Sequence, residues 1–294
     1  MKFLAILVGV AVELYVLQIQ QVRQFGWFAR WSDFLMRNLQ RLPMMDGRIG
    51  VLVIILPIVF LVLYLDYELG RMIELNKMYS VFGFLFYSAV LIYGLGPQDP
   101  IRTVDDYMDC VEHADLRTAQ VRAEQVLGQV ITEPVAEYAA RIKEMLLIRV
   151  NDNIVGPIVW FVLIGPIGVV LFRLSCELKE RFTGMQGGLA LASQELYLIV
   201  AWLPARVCAM SYAFAGSFVD TVANWRHVSD LWLADSNTLL IRSGMGSVGD
   251  VNEEEDEEIS ALQSLANVLA MVKRSVLILI TLLAVMIIVG LFNG

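Results

Sequence analysis

Histidine is almost absent from this chain, and cysteine is sparse. The two histidines, His113 and His227, cannot build a histidine-rich metal centre, and Cys110, Cys176 and Cys208 stand far apart with no Cys-x-x-Cys pair. That spacing points to neither a disulfide framework nor a zinc site. A basic face is missing as well. With 22 Lys and Arg against 30 Asp and Glu the net charge is −8, which excludes a nucleic-acid partner, because nothing neutralises a phosphate backbone. The glycine-rich stretch from Ser243 to Gly249 has no Lys-Ser/Thr after it, so it is no phosphate-binding loop and reads as a flexible linker. A Gly-x-Ser-x-Gly nucleophile elbow is also absent.

Long apolar runs are what the chain has instead. Hydrophobic residues make up 57% of the sequence, charged residues only 18%, and mean hydropathy is +0.63. A soluble domain of this length would be about 45–50% apolar. Six stretches are long and apolar enough to be membrane segments: 3–18, 50–67, 79–96, 154–172, 196–219 and 274–292. The expected fold is therefore all-α, a polytopic helical protein forming a single membrane domain over 1–294, with the lipid bilayer as its first partner. Glu13 interrupts the first stretch and no small-residue cleavage site follows, which predicts a retained helix rather than a signal peptide. The fourth stretch contains Pro157 and Gly165-Pro166. The fifth contains Pro204 and Arg206 and is expected to be kinked or partly re-entrant.

Lys and Arg gather in the connections 18–49, 97–153 and 220–273, led by Arg23, Arg30, Arg37, Arg41 and Arg48 in the shortest. The positive-inside rule puts these connections in the cytoplasm and both termini on the other side. Periodic apolar residues over Val104–Gln129 and Pro134–Val150 predict a cytoplasmic helical hairpin in 97–153. The connection 220–273 reads as a loop with an acidic run at 253–258, a solvated spacer, followed by an amphipathic helix that leads into the last span.

Charge inside the membrane part is costly and asks for a reason. Arg206 lies mid-segment and reads either as an anion-binding group or as a residue paired with a carboxylate such as Asp152 or Asp220. Asp152 and Asn153 open the fourth span, where a helix cap competes with a ligand site. Asp105-Asp106-Tyr107-Met108-Asp109 has the spacing of a diphosphate–Mg²⁺ motif, but on an acidic helix a solvated face is the expected reading.

These residues carry a resemblance. Gly156-Pro157-Ile158-Val159-Trp160 is similar to an Ala-Pro-Leu-Phe-Trp motif, Phe172-Arg173 to a Tyr-Arg, and Trp202-Leu203-Pro204-Ala205-Arg206 to a Trp-(Ile/Val)-Pro-(Ala/Val)-Arg. Together they resemble the family that joins AmpE with CobD and CbiB, over nearly the whole chain, and Met271-Val272-Lys273-Arg274 looks like the Met-Ala-Lys-Lys of the AmpE branch. The synthase branch differs from this chain at several polar positions. Glu13 stands where that branch is Asp-rich, and the His-Pro of its first loop is missing. Arg149-Val150 replace an Asn-Thr, Cys176-Glu177-Leu178-Lys179 replace an Asn-Thr-Leu-Asp, and Ser236-Asn237 lack the Pro of a Ser-Pro-Asn.

These departures put the chain closer to the AmpE side, the first reading here, with the synthase as the alternative. The AmpE side implies a regulatory protein of the bacterial inner membrane, linked to cell-wall recycling and β-lactamase induction and without a cofactor. The CobD/CbiB side implies a synthase that joins a corrinoid carboxylate to an aminoalcohol phosphate with ATP and Mg²⁺. Either way, Asp152, Asn153, Arg173, Trp202, Pro204 and Arg206 are the expected ligand-binding set, for an anionic small molecule. No catalytic residue or metal ligand is expected on the first alternative, and oligomerisation is left open.

Overall fold

The computed structural model describes residues 25–39, 46–97, 99–113, 115–127, 135–219, 221, 235–248 and 257–288. Among them the structure is helical throughout, with no strand. In chain order the helices are α1 (Gly26–Leu39), α2 (Arg48–Leu75), a 3₁₀ turn (Lys77–Tyr79), α3 (Ser80–Gly94), α4 (Pro100–Glu112), α5 (Leu116–Leu127) and α6 (Val135–Val150). A π-helical turn (Asn151–Val155) follows, then α7 (Gly156–Leu163), α8 (Pro166–Phe182), α9 (Gly188–Ala215), α10 (Ser236–Val248) and α11 (Glu257–Ile288). Five helical stretches are long and apolar enough to cross a membrane: Arg48–Leu75, Lys77–Gly94, Tyr138–Leu163, Gly188–Ala215 and Ser260–Met286. The chain is a polytopic helical membrane protein. The expected first segment, 3–18, lies outside the described residues, as do Pro134, Asp220, His227, Gly249 and most of the acidic run.

Several expectations change. The fourth apolar stretch, 154–172, is not one helix. α7 ends at Leu163, Gly165 adopts φ 89°, and Pro166 opens α8. A Cβ on Gly168 would lie 2.6 Å from the Trp160 carbonyl oxygen, so the chain folds back sharply here. Pro157, by contrast, breaks nothing, because it enters α7 in the first helical turn, where a missing N–H costs little. Pro57 lies inside α2, which continues through it from Arg48 to Leu75. The arm expected over Val104–Gln129 consists of two helices. Asp99 caps α4 by accepting from Ile101 and Arg102 N–H (3.0 and 3.3 Å), and Asp115 accepts from Thr118 N–H (3.2 Å) at the start of α5. The glycine-rich stretch is no linker. Gly244 and Gly246 sit in α10, and a Cβ on Gly244 would come within 2.3 Å of Leu147 Cδ2, so glycine there permits close packing.

The chain divides into two compact units. Unit 1 is Met1–Pro97 with Asp152–Trp202, and unit 2 is Gln98–Asn151 with Leu203–Gly294. In unit 1, α8 packs on α2, α3 and α7, and one core gathers Phe28, Val51, Ile54, Ile55, Leu174, Leu178 and Phe182. A second core in unit 1 holds Phe172, Cys176, Tyr197, Val200 and Ala201. In unit 2, α4, α5 and α6 pack on one another, and α11 packs on α4, α6 and α10.

Candidate functional site

Unit 1 brings polar side chains of the π turn, α8 and α9 into one buried cluster. The π turn inserts extra backbone at Asn151–Val155, a feature frequent at functional sites. Asp152 therefore is not the N-cap anticipated for a span, because helix precedes and follows it. Its carboxylate meets unit 1 instead. Tyr197 Oη donates to Asp152 Oδ1 (2.8 Å), and Lys179 Nζ lies 3.8 Å from Oδ2. The same ammonium sits 3.5 Å from the centroid of the Tyr197 ring, a cation–π contact that ties the three groups together.

Asn153 faces the other cation. Arg173 Nη1 donates to Asn153 Oδ1 (3.2 Å), and Arg173 Nη2 pairs with Glu177 one turn along α8. The guanidinium also lies over the Phe25 ring, 5.0 Å from its centroid. Burial pushes the Glu177 carboxyl above its usual range, although Arg173 pulls it the other way. Between these groups Cys176 is buried. Burial first, and the negative charge of Asp152 second, hold its thiol well above the ordinary value, so it is no thiolate nucleophile.

Two prolines shape the frame. Proline has no N–H and leaves a carbonyl one turn back without its helical donor. Pro204 releases Val200 O in this way, and Trp160 Nε1 fills the vacancy at 3.0 Å. Pro157 stands four residues after Asn153, whose O accepts from Gly96 N (3.0 Å). A Cβ on Gly96 would lie 2.1 Å from Asn153 Cγ, so glycine is what lets this strap approach. Trp160, noticed in the sequence as part of a separate motif, thus answers the gap that Pro204 makes in α9.

Of the six anticipated residues, Asp152, Asn153 and Arg173 meet in this unit 1 cluster. Trp202 belongs to unit 1 but is 46% exposed. Pro204 and Arg206 belong to unit 2, where Arg206 is buried at 4% exposure. Sequence inspection missed Tyr197, Lys179 and Glu177. The last two were noticed only as replacements in the Cys176–Lys179 stretch, and nothing local marks Tyr197. The Asp105–Asp109 motif forms ion pairs instead of a metal site. Asp105 pairs with Lys273 (2.7 Å), and Asp106 lies 3.8 Å from Arg122.

The chain is similar to the cobalamin biosynthesis protein CobD of Stutzerimonas stutzeri (strain A1501), with 27% identity over 148 residues, 47% of this chain and 46% of that protein. The match thus spans about half the length of that curated relative, rather than nearly the whole chain. No protein-family profile matches the chain, and no solved structure does.

Proposed function

We propose that this protein is an inner-membrane enzyme of cobalamin biosynthesis. In this reading it forms an amide between a corrinoid carboxylate and an aminoalcohol phosphate, and its termini lie outside the cytoplasm. The similarity to CobD carries the proposal, and the buried Asp152–Tyr197–Lys179 cluster supports it. Amide formation needs a cation for the phosphate and a base for the amine proton. Lys179, partly open to solvent, supplies the cation. The Asp152 carboxylate, held by Tyr197, accepts the proton. Arg173 fixes Asn153 and so the π turn that carries Asp152. Arg206 is a further anion-binding candidate.

The family implies ATP and Mg²⁺. Among the described residues no group of three His, Cys, Asp or Glu side chains could hold a metal ion, and both Asp152 oxygens face partners. These residues do not fit a resident divalent ion, and ATP is a co-substrate in this reading: it phosphorylates the corrinoid carboxylate, and as the C–N bond forms the carboxyl oxygen leaves on that phosphate.

A second reading, an AmpE-like regulator of β-lactamase induction, is favoured by one observation. The charges of the cluster already neutralise one another. Complementation separates the two. Expressed in a cell lacking its cobamide amide-synthase, this protein should restore growth on cobyric acid plus aminoalcohol phosphate, and Asp152→Asn should abolish it. No growth, with the wild-type protein confirmed in the membrane, rejects the enzyme and leaves the regulator.

A further inference from the structure

α1 is short and amphipathic, and the packing of unit 1 covers only one side of it. Phe28 shares a core with Val51, Ile54 and Ile55 of α2. Trp31 Nε1 donates to Ile54 O (3.1 Å), and Trp27 Nε1 donates to Tyr93 Oη near the end of α3. α1 is thereby held beside the first turns of α2. There the sequence passes from Arg48 into an apolar run that opens at Ile49, so these turns lie where the headgroups of a bilayer meet its acyl chains. The other side of α1 is open. Trp27 is 38% and Phe34 58% exposed, and Arg30 and Arg37 are exposed as well. At 3.6 residues per turn, positions seven apart share a line along a helix. Trp27 and Phe34 form an aromatic line, and Arg30 and Arg37 form a cationic line beside it.

Neither cation is neutralised by the fold. Asp33, the one acidic residue of α1, pairs with Arg181, and Arg48 at the start of α2 pairs with Glu195 (2.8 Å). Arg30 Nε donates to Gly26 O (3.3 Å), and among the described residues no carboxylate pairs with Arg30 or Arg37. The chain carries a net charge of −8, so this positive face is a local feature. Aromatic rings favour the headgroup level of a bilayer, where an apolar body and a polar edge are both accommodated. Guanidinium groups bind phosphate oxygens through paired N–H donors. An aromatic line beside a cationic line therefore matches a headgroup of net negative charge as well as the acyl chains below it. We propose that the exposed face of α1 docks on anionic phospholipid, with Trp27 and Phe34 at the top of the acyl chains and Arg30 and Arg37 on headgroup phosphates. This surface does not depend on the cobamide reading, which uses no residue of α1.

The test uses the full chain in nanodiscs of zwitterionic phosphatidylcholine mixed with anionic phosphatidylglycerol, with brominated chains on one lipid or the other. The tryptophan quenching that Trp27→Phe removes reports the lipid beside α1. At equal mole fraction, brominated phosphatidylglycerol should give more of this quenching than brominated phosphatidylcholine. A basic residue near an anionic surface contributes about fivefold in affinity. Arg30→Gln should therefore lower the preference about fivefold, and Arg30→Gln/Arg37→Gln should bring the two lipids close to parity. Arg102→Gln, at an exposed arginine of α4, changes the net charge equally and should leave the preference intact. Raising the salt from about 0.1 M to about 1 M, which shortens the screening length from about 10 Å to about 3 Å, should erode it. If Trp27→Phe does not fold, the quenching gained in Phe34→Trp reads the same face. Equal quenching by the two lipids, a preference that survives in the folded double variant or at high salt, or an equal loss in Arg102→Gln would each overturn the proposal. So would a face that neither lipid quenches, the result expected if a second copy of the chain covers it.

Discussion

The two units bury polarity in different ways. Among the described residues unit 2 mostly buries hydroxyls, and several of these bond to a carbonyl of their own helix. Ser243 Oγ donates to Leu239 O (2.6 Å), Ser247 Oγ to Ser243 O, and Ser211 Oγ to Cys208 O (2.7 Å). Two of its ion pairs, Lys273–Asp105 and Arg122–Asp106, lie at the surface, and among its described residues Arg206 is a buried charge. Unit 1 buries Asp152 and Arg173 and pairs them with side chains from α8, α9 and the π turn. A hydroxyl that bonds one turn back needs nothing from the rest of the fold. A buried charge needs particular residues at particular places, and it keeps its electrostatic reach. The unit that accepts this demand is the one with the chemistry of a site.

The contrast can be broken most severely at Arg173. Arg173→Ala should destabilise the protein by about 2–3 kcal/mol, because the half-buried Glu177 is left without its partner. Thermal denaturation in nanodiscs checks this. The double variant Arg173→Met/Glu177→Leu should recover most of the loss. If Arg173→Ala alone costs under about 1 kcal/mol, the buried pair does not set unit 1 apart.

Next comes the proline-released carbonyl. Trp160→Phe leaves Val200 O without a donor and should cost about 1–3 kcal/mol. In a Pro204→Ala background the backbone N–H regained at that position restores the helical bond, so Trp160→Phe should cost clearly less there. Equal costs in both backgrounds would refute the link.

For unit 2 the equivalent test is steric. Gly216→Ala would put a Cβ 2.4 Å from the Ser247 carbonyl oxygen, and the expected cost is about 1–3 kcal/mol from overpacking.

Glu177 gives a pH test. Its folded-state pKa is raised above 4.5, so the folded protein holds this proton more tightly than the unfolded chain. The resulting stability is complete below that value and is lost as pH rises through the folded pKa. The stability of wild type relative to Glu177→Gln should fall over that window in paired melts. A flat difference would show that burial does not govern this carboxyl.

The smallest effect belongs to Lys273→Ala. It removes a pair whose side chains are 45% and 47% exposed, and should change stability by about 0–1 kcal/mol.

The helical class and the apolar stretches were legible because lipid imposes a strong pattern on composition. The dipeptide Gly-Pro was not. At 156–157 the helix runs on, while at 165–166 the chain reverses. The difference is the positive φ of Gly165, which tertiary packing selects and no local rule encodes. Asp152, Asn153 and Arg173 stood out because charge in an apolar setting is conspicuous. Tyr197 did not, because a tyrosine on an apolar helix looks like core until its hydroxyl is seen on Asp152. Gly244 misled for the opposite reason, since the freedom that marks glycine as linker also lets helices touch.

The Arg173–Glu177 pair also bears on the order of assembly. The two residues are one turn apart on a single helix, so their charges can cancel as soon as that turn winds, on the sub-microsecond scale of helix growth. Asp152 has to wait until α8 and α9 arrive with Lys179 and Tyr197. One charge pair is therefore settled locally and early, and the other only by docking.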